Sequence, residues 1–197
     1  MELVSGELTH MFTSNEAVFC ICITSTDYII VGTDKRLSKY TTQGKVVLSS
    51  RVTETGDPVV YSPIRITECP VTHNVAVVDP RLKCYGGDDN KCIVAMERNN
   101  FKKLFTYTGE IPSKQTQQSG DCPFNPCCVS YDSKGNLVIG NYENRKVLLL
   151  YQSGEFLRII HTASTKKPTS LCLDRRGQLC VAFGQNVKLL QYTSMYR

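Results

Sequence analysis

The chain has 197 residues, 41% of them apolar, with a formal net charge of +5 and a pI near 8.6. That length suits one globular domain, and the mild basicity tolerates an anionic partner without demanding one. No run approaches the roughly 20 apolar residues of a membrane-spanning helix.

The start, Met1-Glu-Leu-Val-Ser-Gly-Glu7, carries neither the basic opening nor the apolar core of a secretory leader, so the expected compartment is the cytoplasm. The ten cysteines are then read as reduced thiols, most of them small apolar residues of strands. Residues 7–12 read as an isolated outer strand, because Ser5-Gly-Glu-Leu-Thr-His-Met-Phe12 matches a later segment, Ser153-Gly-Glu-Phe-Leu-Arg-Ile-Ile160. A first unit spans 17–49, with strands at Val18–Ile23, Tyr28–Val31, Leu37–Tyr40 and after Gly44. A second spans 63–107, through Pro63–Ile66, Val75–Asp79, Ile93–Met96 and Leu104–Tyr107. The third, 126–160, and the fourth, 168–192, are the closest copies: Pro126 and Pro168 lie 42 residues apart, and so do Gly135 and Gly177. In both, an Asp opens the first turn (Asp132, Asp174) and a Gly closes it where the backbone needs a positive φ.

Short β-rich runs bounded by turn residues, repeating at a period near 40, predict an all-β chain organised as a β-propeller. The expected architecture is a single domain over 1–197 with four recognisable four-stranded blades. It is either a closed four-bladed ring or part of a six-bladed one, with strand 7–12 completing the last blade or left from a preceding one.

The order of motifs in the third unit, from Pro126 through Asp132, Gly135, Asn141-Tyr-Glu-Asn-Arg-Lys-Val147 and Tyr151 to Gly154, resembles the NHL repeat. It departs from that pattern at Asn141, where the family has Asp. The run from about Pro63 to Tyr192 resembles the C-terminal propeller of invertebrate-type tripartite-motif proteins. That resemblance implies a non-catalytic recognition module of a ubiquitin ligase, although the chain has no RING cysteine/histidine series. The missing tryptophan argues against WD repeats, and the single Gly86-Gly87 pair against kelch.

Connections between the second and third strands share one face with the connections between blades, and long loops on a rigid scaffold are where binding concentrates. Lys35, Arg36, Arg81, Lys83, Lys91, Tyr142, Arg145, Lys146, Lys166 and Lys167 fall there and are the candidate partner-binding residues. These loops hold eleven Lys/Arg against nine Asp/Glu, a balance that favours a protein partner over RNA. No catalytic residue, metal site, cofactor or small-molecule substrate is expected. His10, His73 and His161 lack metal-ligand spacing and read as structural, and Asp88-Asp89-Asn90 lacks the spacing of a calcium loop. The alternatives are a calcium-dependent propeller hydrolase of lactonase type, and an inactive truncated fragment.

Overall fold

The computed structural model describes residues 13–192, except 51, 54, 55, 83, 85, 113–121, 175 and 176. Lys83 and the outer strand expected at 7–12 lie outside the described residues. Fifteen strands form four antiparallel sheets. The first sheet holds β1 (Cys20–Ile23), β2 (Ile29–Thr33), β3 (Arg36–Tyr40) and β4 (Val46–Ser49). The second holds β5 (Arg65–Glu68), β6 (Val75–Asp79), β7 (Cys92–Met96) and β8 (Lys103–Tyr107). In the third lie β9 (Pro126–Tyr131), β10 (Leu137–Asn141), β11 (Lys146–Leu150) and β12 (Phe156–Thr162). The last has only β13 (Pro168–Leu173), β14 (Leu179–Phe183) and β15 (Asn186–Leu190).

Each sheet is a meander whose strands pair in chain order, and the first strands neighbour one another, β1 against β5, β5 against β9 and β9 against β13. That is propeller-like organisation. In the second and third sheets the second and third strands are buried on both faces, so they read as near-continuous apolar runs rather than alternating ones. Strand β6 shows why. Val75 and Val77 pack with Ile30, Leu37 and Met96 between the first two sheets, while Ala76 and Val78 pack with Ile139, Leu148 and Leu150 between the second and third. A third cluster, around Val138, Leu149, Leu179 and Phe183, joins the last two sheets. Among the described residues no interface of comparable extent joins the fourth sheet back to the first. Ile21 and Ile23 on β1, and Val187 and Leu189 on β15, stay 60%, 74%, 72% and 64% exposed.

The last residue of the second strand anchors the chain arriving from the preceding sheet. Asp79, only 1% exposed, accepts hydrogen bonds from the backbone N–H groups of Tyr61 and Ser62, both at 2.8 Å, and of Arg81 at 3.1 Å. Asn141 does the same for the N–H of Asn125 at 3.1 Å, and the Thr33 hydroxyl donates to Glu16 at 2.6 Å. A buried oxygen saturated by backbone donors satisfies groups the loop would otherwise leave unpaired. The Asn at 141 performs there with one amide oxygen the task that Asp79 performs with two carboxylate oxygens.

Candidate active site

The turns between first and second strands open on the face opposite the long loops. In the third sheet the Asp132 carboxylate accepts from the N–H of Lys134 and Asn136, and Gly135 closes the turn at φ 83°. In the first two sheets the same place in the repeat is filled by Asp27 (φ 59°) and His73 (φ 58°). A left-handed conformation suits glycine and costs other residues energy. His73 therefore sits in a turn position that its side chain does not favour.

That side chain is engaged. The Ser25 hydroxyl, in the β1–β2 turn, lies 3.0 Å from His73 Nδ1, and a Glu68 carboxylate oxygen at the end of β5 lies 3.4 Å from the same nitrogen. The other Glu68 oxygen accepts the backbone N–H of Ser25 at 2.7 Å, tying the two turns together. His73 and Glu68 line a cavity of about 380 Å3 between the first two sheets, walled also by Thr24, Thr26, Tyr28, Lys39 and Arg98. Lys39 stands over the Tyr28 ring at 4.2 Å. Burial holds its ammonium below the usual lysine range; Glu68 opposes that shift and Arg98 adds to it. Such a volume is that of a small-molecule site. Two cations against one carboxylate suit a ligand that carries or gains negative charge on oxygen.

The loop residues picked out by composition fall on the opposite face in two groups. In the first two sheets, Lys35 donates its backbone N–H to Tyr61, Arg36 pairs with Glu16 at 3.4 Å, and Arg81 pairs with Asp88 at 2.9 Å while covering the Tyr61 ring. Arg81 and Lys91 line a second concavity of about 460 Å3 with Asp88, Asp89 and Phe124. In the last two sheets, Lys167 bonds Glu143 and stands over the Tyr142 ring at 4.5 Å. Arg145 donates to the Ser164 carbonyl, Lys146 opens β11, and Lys166 lies in the exposed β12–β13 connection. Arg36, Arg81 and Lys167 each have an acidic partner within the chain.

Composition and spacing read His73 as structural and passed over Ser25 and Glu68, because Ser25 and His73 are 48 residues apart and meet only when two sheets stack. One local signal was present, the replacement of the turn glycine by histidine. Among the described residues no three His, Cys, Asp or Glu side chains are grouped to hold a metal ion. Among the described residues no carboxylate cluster of that kind is present to hold a calcium ion.

No protein-family model and no curated protein matches the chain. Solved structures resemble it in fold. One described as a candidate gluconolactonase superposes on 94% of this chain and 64% of its own, with a TM-score of 0.66 at 16% identity. The WD40 β-propeller domain of Doa1 matches over 93% and 54%, at 0.62 and 13%. The computationally designed Ika4 protein matches over 94% and 98%, at 0.59 and 12%. The chain thus has a propeller-like all-β fold built of four antiparallel sheets, and it spans 64% of the gluconolactonase structure's length. Among the described residues no helix is long and apolar enough to cross a membrane.

These findings correct three expectations. The assignment to NHL repeats and a tripartite-motif ubiquitin ligase falls, since no family model matches and the likenesses are to structures of other descriptions. The Asp–Gly turn followed by apolar strands reports blade geometry, which many propellers share. The reading as a non-catalytic module falls with it, because a gluconolactonase-type structure is among the likenesses. So does the expectation of a protein or RNA partner in place of a small-molecule substrate, given that likeness and the mixed polar cavity between the first two sheets.

Proposed function

We propose that the chain is a small-molecule hydrolase of lactonase type, acting at the edge of the cavity between the first two sheets, where the exposed Ser25 meets the cavity-lining His73 and Glu68. The observation that carries this reading is the contact between the Ser25 hydroxyl and His73 Nδ1, with Glu68 beside the same ring atom. A serine within hydrogen-bond reach of an imidazole can surrender its proton as it attacks a carbonyl carbon. To accept the Ser25 proton on Nδ1, the neutral ring carries its own proton on Nε2. Glu68 stabilises the imidazolium once formed, and its bond to the Ser25 N–H holds the nucleophile in place. The ring oxygen of the lactone leaves as an alkoxide and takes the proton from His73. Water then enters by the reverse route and releases the acid. Lys39 and Arg98 favour the charge that develops on the carbonyl oxygen and persists in the carboxylate product. The likeness to a gluconolactonase-type propeller supports lactones of sugar acids as the substrate class.

The test is hydrolysis of glucono-δ-lactone above the spontaneous rate, followed by proton release. Ser25→Ala and His73→Ala should each lower kcat by about 100-fold or more. Lys39→Met should raise KM more than it lowers kcat. Variants that turn over lactone as fast as the parent chain would remove this reading.

A further inference from the structure

Neighbouring residues of a strand point to opposite faces, so adjacent cysteines normally keep their sulfurs apart. Strand β9 breaks the rule. Gly140 pairs with Cys128 and Asn141 with Pro126, which leaves Cys127 as the extra residue of a β-bulge. The bulge brings the Cys127 and Cys128 sulfurs within 3.4 Å of each other. Gly140 makes room for them, since a Cβ there would lie 2.5 Å from Cys128 Sγ and 3.3 Å from Cys127 Sγ. The carbonyls of Gly140 and Pro168, at 3.3 and 3.1 Å, fix the Cys127 sulfur at the junction of the last two sheets. Cys127 is half-buried and Cys128 buried, so the first is the one a reagent reaches.

We propose that Cys127 and Cys128 form a thiol-exchange site, which reacts with a low-molecular-weight disulfide and closes to a Cys127–Cys128 disulfide. The Cys127 thiolate attacks one sulfur of the reagent; that S–S bond breaks, and the leaving thiolate takes up a proton from water. Cys128 then loses its proton and attacks Cys127 Sγ, expelling the second thiolate. The protein loses two electrons and two protons, and the reagent leaves as two thiols. Chemistry agrees with the geometry. A hydrogen bond from Cys128 holds the Cys127 thiol below its ordinary range against the effect of burial, and Arg65 on β5 adds to the lowering. Cys128 keeps its proton, pushed up first by that same bond and then by burial. The pair lies at the opposite end of the first strands from Ser25, Glu68 and His73, so it stands independently of the hydrolase reading.

The experiment incubates the reduced full chain with oxidised glutathione, blocks remaining thiols with iodoacetamide, and reads peptides by mass spectrometry. The peptide holding both residues should lose two hydrogens and retain no glutathione. With Cys128→Ser, glutathione should remain on Cys127. With Cys127→Ser, modification of Cys128 should slow by about tenfold or more. A stable glutathione adduct on Cys127 in the parent chain would overturn the proposal. So would two alkylated thiols there after exposed Cys84, Cys122 and Cys172 have exchanged. The parent-chain result decides even if a variant fails to fold. Peptide-level assignment separates this pair from Cys172 and Cys180, which pair across β13 and β14.

Discussion

His161 shows how one side chain writes a pH dependence into the fold. It lies on β12 with its ring edge against Phe183, centroids 5.4 Å apart, and its Nε2 is buried without a hydrogen-bond partner. Burial, with Lys188 adding to it, holds its pKa below the ordinary 6.5. A base with a depressed folded pKa contributes stability above its unfolded value and loses it as pH falls through the folded one. The chain should therefore weaken as pH drops below about 6.5, because the unfolded state takes up the proton first. His161→Leu should flatten that limb. Denaturation midpoints at pH 7.5 and pH 5 for both chains would show it, and an unchanged difference between them would refute the assignment.

At the scale of elements, the β5–β6 hairpin is where stability and the proposed chemistry pull apart. Its turn holds His73 at a positive φ that glycine adopts freely in the third and fourth sheets, at Gly135 and Gly177. Relieving a left-handed non-glycine residue gains about 1 kcal/mol, set against a partly exposed His73–Glu68 contact, an ion pair only when the ring is protonated, worth about that or less. His73→Gly should leave the midpoint of thermal unfolding unchanged or raised while abolishing lactone hydrolysis. A fall in stability that tracks the loss of activity would make His73 a structural residue of its turn. The second strands, by contrast, carry no such tension. Asp79 and Asn141 end them with oxygens saturated by backbone donors, which is a structural role.

For the whole molecule, the order of sheets leaves two outer faces with large apolar side chains in water. Ile21 and Ile23 mark one, Val187 and Leu189 the other. The fourth sheet ends at β15, and among the described residues no fourth strand pairs with it. An uncovered strand edge with exposed apolar residues promotes association. Replacing Val187 and Leu189 together by Lys should lower the weight-average mass at high protein concentration in light scattering. The free energy of unfolding should change by no more than the roughly 0.5 kcal/mol of ordinary surface changes. Identical scattering from both chains would show that this face does not drive association.

Strands and turns were legible in the sequence because their signals are local. Runs such as Val75–Asp79 and Leu137–Asn141 sit between turn residues, and Asp132 and Gly135 name the turn they build. Four repeats of that grammar were enough to predict sheets of antiparallel meanders. Contacts between sheets were not legible, because they depend on how twisted sheets stack and which turns that stacking brings face to face. Ser25 meets His73 and Glu68 only through that stacking. The charged loops that drew attention by composition lie on the opposite face, several of their cations matched by the chain's own carboxylates. Tertiary structure alone decided the cavity and the paired thiols, since both arise from distances between backbones that residue order does not encode locally.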